Sequence, residues 1–391
     1  MMISLEAVKY VTLIFFLITV KCYAQTYVAY QIRDKATEAA IPNARVAHQN
    51  KLFYANDDGN LLVPNTLDSF EVSATGYQTE VFFTASATIR LTPAYQNIPE
   101  INFVGVDVKK VFENTLQHYK TRYYAQPSLY RGTLKQKGYM DGELINLVVA
   151  DINLWSRFNF FNFKAAANFD SFVQIGLDQI KYAKSSKGKA DYPFNTDVQL
   201  IPTDFVRTIF LNNQLTAILA STKDNSIRGK VIENGADLRY ISFEAPENSI
   251  EGTQVSGHFT YHIRDSVITN LELFVKQKNN TRNEKNKKGE EYNLETTNFN
   301  VVFDFYKNGA HYLPAQIQVS GSGSGEYKGK EIPFSFTQIL SLTDFQPTTT
   351  KGLKRKINLN KNLIDNIPSK ERNKMNELLL SKEERQFIDG H

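Results

Sequence analysis

Cysteine is almost absent from this chain: one residue in 391, Cys22, close to the N-terminus. The sequence beyond it therefore has no disulfide, no thiol nucleophile and no thiolate metal ligand. Cysteine proteases, thioredoxin-like enzymes and cysteine zinc sites are excluded on that ground. Charge of one sign is lacking as well. Forty-five Lys and Arg against 41 Asp and Glu leave a formal net charge of +4, too small a field over this length to imply a nucleic-acid partner. Glycine (20) and proline (12) are too sparse for a collagen-like or low-complexity chain. Past Val20 there is no apolar run long enough for a membrane-spanning helix.

Catalytic signatures are missing too. None of the histidines His48, His118, His258, His262 and His311 is followed by Glu three residues on, and His391 ends the chain. There is no His-Glu-x-x-His motif and no Gly-x-Ser-x-Gly elbow. The segment Gly325 to Lys330 looks like a phosphate loop but is one residue short, and Glu331 stands where Ser or Thr would bind magnesium. Ser320 to Gly325 is expected to be a flexible hairpin loop. His258 and His262 share one strand face about 13 Å apart, too far to ligate one metal. The sequence thus calls for no cofactor and no metal.

What is present begins with an apolar run from Val8 to Val20, with Lys9 as the nearby positive charge. It is too short for a stable membrane span and ends at Cys22-Tyr23-Ala24, which fits signal-peptidase cleavage after Ala24. An uncleaved anchor is the alternative. A lipoprotein at Cys22 is disfavoured because Lys21 stands where a small residue is needed. Residues 1–24 are therefore expected to be a signal peptide and the mature chain to start at Gln25.

Residues 25–93 carry short segments rich in β-branched and aromatic residues, separated by turn signals such as Asn56-Asp57-Asp58-Gly59 and Thr75-Gly76-Tyr77. A small β-sandwich follows. The order Arg33-Asp34, Ile41-Pro42-Asn43-Ala44-Arg45-Val46, Asp57-Asp58-Gly59-Asn60-Leu61, Val72-Ser73-Ala74-Thr75-Gly76-Tyr77 and Ile89-Arg90-Leu91 resembles the carboxypeptidase-regulatory-like, transthyretin-like domain of exported bacterial proteins. The usual glycine of the first strand is replaced by Ala29-Tyr30. The resemblance implies an accessory module, not a peptidase.

A linker is expected over 94–106, and residues 107–391 read as a helix followed by antiparallel sheet. Val108, Val111, Phe112, Leu116, Tyr119 and Tyr123 recur at helical spacing, predicting one amphipathic helix from Asp107 to Tyr124. Alternation then takes over. Phe259, Tyr261 and Ile263 are expected to pair with the run Val267 to Val275 across Asp265-Ser266, and Phe299 to Phe305 with Leu313 to Val319 across Asn308-Gly309. Helices are predicted over Thr203 to Leu219, over Ser369 to Leu380, and after the capping box Ser381-Lys382-Glu383-Glu384. Arg122-Tyr123-Tyr124-Ala125-Gln126-Pro127 with Leu129-Tyr130-Arg131-Gly132, and later Tyr240 to Phe243, Gly257 to Ile263 and His311 to Pro314, resemble an uncharacterised domain that follows the transthyretin-like module in Gram-negative exported proteins. Its layout is similar to the half-barrels of periplasmic lipoprotein carriers. The expected fold class is mainly β: a sandwich plus an antiparallel half-barrel-like sheet with a few helices.

Two features point toward function. Trp155, Phe158, Phe160, Phe161 and Phe163 crowd five aromatics into nine residues, so they are candidates to line an apolar ligand groove or a protein interface as well as to fill the core. Lys351, Lys354, Arg355, Lys356 and Lys361, and the charged stretch Lys276 to Lys288, could touch anionic lipid or polysaccharide at the outer membrane, or be solvated loops. Asp151, Glu272 and Asp304 are strand-borne carboxylates that a hydrolase would use in pairs. The expectation is a non-catalytic, exported envelope protein, periplasmic or outer-membrane associated, that engages an envelope protein. Its alternatives are a carrier of a lipid or other apolar ligand, and a carboxylate hydrolase.

Overall fold

The structure, a computed structural model, describes residues 27–48, 51–65, 67–83, 86–94, 105–186, 192, 194, 202–222, 227–234, 237–250, 252–278, 281–285, 289–349, 351–371 and 380–390. The expected signal peptide, Cys22, most of the 94–106 linker, His391 and nearly all of the helix predicted over Ser369 to Leu380 lie outside them. The chain is mainly β, with 56% strand and 17% helix, in sheets that do not close into a barrel.

Seven short strands come first: β1 (Tyr27–Asp34), β2 (Arg45–His48), β3 (Lys51–Tyr54), β4 (Asn60–Pro64), β5 (Ser69–Ser73), β6 (Glu80–Phe83) and β7 (Thr88–Leu91). They form a three-stranded sheet, β4-β1-β7, facing a four-stranded one, β3-β2-β5-β6. Alternation decides which side chains meet. Ile32, Val46, Leu61, Val72 and Leu91 are fully buried between the two sheets and make a core of their own. Gly59 (φ 75°) and Gly76 (φ 83°) supply the left-handed turns that the Asp-Gly and Thr-Gly steps signalled.

The rest is one large antiparallel sheet with the order β10-β9-β8-β18-β17-β16-β14-β13-β12-β11. Its strands are β8 (Ser128–Met140), β9 (Glu143–Ser156), β10 (Val173–Ser185), β11 (Arg228–Asn234), β12 (Leu238–Ile250), β13 (Thr253–His262), β14 (Val267–Gln277), β15 (Thr281–Lys285), β16 (Glu291–Asn308), β17 (His311–Tyr327) and β18 (Lys330–Pro347). β15 pairs with β16 off the main path, so part of the charged stretch from Lys276 to Lys288 is strand instead of loop. Both predicted hairpins form, with Phe259 opposite Leu271 and Val301 opposite Val319. A bulge between Asp304 and Phe305 then shifts the register, so that Phe305 faces Pro314.

The inner face of this sheet is covered by the chain's own helices: α1 (Val108–Gln117), α2 (Tyr119–Arg122), α3 (Pro202–Thr208) and α4 (Leu211–Ser221). Asp107 caps α1 by accepting from the Lys110 amide at 2.9 Å, and Phe112 drops from α1 onto Phe243 and Phe259, each ring 5.4 Å away. The single helix predicted to Tyr124 is broken at His118. There the ring Nδ1 and the backbone N–H both crowd the Asn114 carbonyl at 3.0 Å, and a short second helix restarts. Tyr123 follows it into the core, stacked on Tyr119 at 4.4 Å, with its hydroxyl donating to the Ile268 carbonyl at 2.8 Å.

The expected flexible loop from Ser320 to Gly325 is instead the interior of β17. The turn lies later, at Lys328 (φ 52°) and Gly329 (φ 73°). The glycines have a packing reason. A Cβ on Gly321 would sit 2.6 Å from the Phe336 ring, one on Gly325 2.4 Å from the Phe194 ring, and one on Gly323 1.8 Å from the Glu295 carbonyl. Aromatic rings and a neighbouring strand occupy the space that side chains would take.

Candidate binding trough on the outer sheet face

The opposite, outer face carries two attachments. At one end sits the sandwich. Arg45 reaches Asp304 at 2.7 Å, and the Tyr54 hydroxyl shares its proton between the carbonyls of Ala315 (2.6 Å) and Leu342 (2.8 Å). Beside it lies α5 (Lys382–Asp389), closed at its start by the predicted capping box of Ser381 and Glu384. Phe387 of α5 packs on Leu147, Val149 and Tyr182. This explains why β9 is apolar on both faces.

An ion cluster joins all three bodies. Lys137 Nζ lies 2.5 Å from Asp57 of the sandwich turn, and 3.1 and 3.2 Å from Glu383 and Glu384 of α5. Lys135 pairs with Glu384 at 2.8 Å. Burial opposes ionisation of Asp57 and Glu384, but the two lysines outweigh it and hold both carboxyls below their usual range. Burial likewise opposes the charge on Lys137, and Asp57 and Glu384 overcome it, raising its pKa.

Away from these attachments, toward the Ser324 end of β17, the outer face is polar. Because β17 alternates without interruption, Gln318, Ser320, Ser322, Ser324 and Glu326 project outward along about 27 Å of strand. Short side chains form a floor of Ser320, Ser322, Ser335 and Thr337. Phe274, Lys276 and Gln254 on β13 and β14 rise beside it, enclosing a trough of about 440 Å³. A cleft of about 260 Å³ adjoins it at Thr337, bounded by Pro42 and Asn43 of the sandwich and by Lys135 and Lys137. Toward Ser324 a further depression of about 370 Å³ is edged by Glu295, Glu326 and Glu331. Within the trough Asn298 Nδ2 donates to the Ser322 hydroxyl at 3.2 Å, leaving that hydroxyl's proton to be donated outward.

The inner face offers much less room. Its cavity, lined by Tyr119, Tyr123, Phe210, Phe305 and Leu342 among others, holds about 30 Å³, the share of one water molecule. The aromatic run singled out from sequence lies near this region. Trp155 is buried on the outward side of β9, while Phe161 is core, in edge contact with Phe172 and bracketed by Asn212, which bonds its N–H and its carbonyl. Phe158 and Phe160 lean on each other at 5.3 Å, with Arg157 and Lys120 over their rings. Only Phe163 of the five is strongly exposed, at 54%.

The other candidates are dispersed. Asp151 pairs with Lys181 at 3.0 Å, Asp304 is taken by Arg45, and burial raises the pKa of Glu272 against a hydrogen bond from Asn300. His258 faces Phe274 edge-on, and burial lowers its pKa. Of the basic run, Lys356 pairs with Asp170 at 2.8 Å as its segment runs along β10, Ile357 donating to the Ile175 carbonyl. Among the described residues no group of three or more His, Cys, Asp or Glu could hold a metal, and no helix is long and apolar enough to cross a membrane. The trough residues were invisible as a set because they are common polar residues on five different strands; only the Ser-Gly alternation of β17 hinted at a strand with one hydroxyl-bearing edge.

No protein-family model matches the chain, and no curated protein does. Among solved structures, one of lipid–protein interactions in lipovitellin aligns at 10% identity and TM-score 0.26, over 66% of this chain and 29% of that one. A Bacteroides fragilis protein of unknown function aligns at 11% identity and TM-score 0.15, over 82% of this chain and 97% of its own. The chain thus spans less than a third of the lipovitellin chain, and both scores are too low to assign a shared fold or role.

Proposed function

We propose that this chain is an exported, non-catalytic binding protein of the cell envelope, built from a carboxypeptidase-regulatory-like sandwich clamped to an open sheet, and that it engages its ligand in the outer-face trough. The carrying observation is the contrast between faces. Among the described residues the inner face, covered by the chain's own helices, has a cavity of about 30 Å³, whereas the outer face keeps a trough of about 440 Å³. Pockets for small ligands run from about 300 to 1,000 Å³, so only the outer one has the capacity. Export rests on the leader-like N-terminus and on the resemblance of residues 25–93.

The test is hydrogen-exchange mass spectrometry of residues 25–391, alone and with detergent-free envelope extract, beside a native mass spectrum of the protein purified from its own envelope. Slowed exchange in β16, β17 and β18 without a bound lipid is the expected result. A lipid-sized adduct with protection confined to α1, α4 and the inner core would replace this reading with an apolar-ligand carrier.

A further inference from the structure

The lining chemistry narrows what the trough can hold. Its floor is hydroxyl and amide: Ser320, Ser322, Ser335, Thr337 and Asn300 project from three adjacent strands at alternate positions. Such a surface exchanges hydrogen bonds in both directions, because each hydroxyl both donates and accepts. One acceptor is without a partner. Asn300 directs its amide toward Glu272, and its Oδ1, buried at the trough floor, receives no hydrogen bond. A buried acceptor left in that state costs free energy, which an incoming donor would recover once the Asn300 side chain turns toward the trough, because the atom is sealed from solvent as it stands.

One wall is aromatic. Phe274 is 38% exposed, an unusual position for Phe on a face otherwise polar, and His258 touches its ring from the side at 6.3 Å, fixing its orientation. The ring is partly exposed, and its π-system, negative on the faces, suits the polarised C–H bonds of a sugar ring. Charge supplies the last restriction. Among the described residues Lys276 is the one charged residue lining the trough, and the depression beyond Ser324 is edged by Glu295, Glu326 and Glu331 with no described basic residue in its lining. Those carboxylates repel polyanions entering along β17.

Resting on the binding reading above, we infer that the trough is a binding site for a neutral oligosaccharide, lying along β17 with one sugar ring against Phe274 and its hydroxyls over Ser320, Ser322, Thr337 and Asn300. An extended chain of sugars matches a trough that adjoins a second cleft at Thr337 and points along β17 toward a further depression at Ser324.

The experiment is an array of neutral and anionic oligosaccharides probed with residues 25–391, followed by calorimetric titration of the best neutral binder against wild type, Phe274→Ala and Ser322→Arg. Both positions are solvent-facing, and circular dichroism verifies that the variants fold. Saturable binding to neutral members, weakened roughly three- to tenfold by Phe274→Ala and abolished by Ser322→Arg, is expected. Silence across the neutral set, preference for anionic members, or neutral binding untouched by either substitution would overturn the sugar assignment. If the array is silent while envelope extract still slows exchange in β16 to β18, the sugar assignment alone fails. If neither responds, the binding reading fails with it.

Discussion

Lys137 Nζ stands 3.2 Å from Glu384 Oε1, a carboxylate with no solvent exposure, and the same ammonium is 2.5 Å from Asp57 on the other side. One side chain on β8 thereby ties the C-terminal helix to a turn of the N-terminal sandwich. The elements it joins are more than two hundred residues apart, and together they bound the cleft that adjoins the trough at Thr337. Lys382 adds a backbone strand to the tie, its N–H donating to Asp58 at 2.7 Å.

Removing the ammonium should loosen both attachments at once. Lys137→Met leaves buried Glu384 and Asp57 with only Lys135 and should cost about 3 kcal/mol, the scale of a broken buried pair. Denaturant unfolding measures the loss, and hydrogen exchange in residues 382–389 should rise. An unchanged midpoint together with unchanged exchange would show the cluster to be ornamental.

The same cluster gives the protein an acid limit. Asp57 and Glu384 have ordinary values of 3.8 and 4.5 and are held lower in the fold. A depressed carboxyl stabilises above its unfolded value, and the contribution disappears as pH falls through the folded one. Stability should therefore be level above about pH 5 and fall below about pH 4. In Lys137→Met that acid slope should be shallower. Elsewhere, Asp265 accepts from Lys307 and Tyr312 at 2.6 Å each, which brings its carboxyl down to about 2. A carbon-detected NMR titration should leave it ionised at pH 3.

β17 should tolerate change on one face and resist it on the other. Gly323→Ala drives a methyl into the Glu295 carbonyl, and Gly325→Ala drives one into the Phe194 ring. Each should lower stability by about 1–3 kcal/mol, as overpacking does. Ser322→Ala, next to Gly323 in sequence but on the outer face of the sheet, should stay within about 0.5 kcal/mol. A thermal-melt series of the three variants reads the contrast directly.

Phe112→Ala tests how far the helix on the inner face carries the sheet. The ring is fully buried between α1, Phe243 and Phe259. Its loss should cost about 3–5 kcal/mol. If the helix is a late addition to a sheet already stable without it, equilibrium unfolding of the variant will stay near wild type.

Tyr54→Phe removes a single hydroxyl that bridges two carbonyls of the large sheet. About 1 kcal/mol is expected from a lost buried hydrogen bond. A larger effect in exchange rates at β3 than in global stability would mark the sandwich contact as a unit that opens by itself.

Local patterns were readable because their causes are local. The Ser381 capping box and the left-handed Gly59 turn depend on residues within a few positions of each other and stand in the fold as expected. The hairpin after Phe299 forms with a bulge at Asp304 and its turn one residue on, at Gly309-Ala310, since Asn308 is the last strand residue opposite His311. Where a local rule competed with a distant partner, the partner won. Ser320 to Gly325 has loop composition, yet it is strand because Phe336, Phe194 and the Glu295 backbone fill the places of its missing side chains. The aromatic run from Trp155 to Phe163 could be read as groove, interface or core, and which member does what depends on later elements: Phe172, Phe210 and Asn212 take up Phe161, while Phe163 is exposed.

Composition, the apolar run from Val8 to Val20, the β class and the lack of cysteine beyond Cys22 follow from the amino-acid string, since they need only residue identity and near-neighbour spacing. The trough does not. It exists because five strands from Thr253 to Pro347 line up unremarkable Ser, Thr, Asn and Gln side chains on one face, at a place that neither the sandwich nor the C-terminal helix covers. Which polar residues remain open, and which are spent on ion pairs such as Lys137 with Glu384, is decided by contacts across the whole length of the chain, and only folding brings those together.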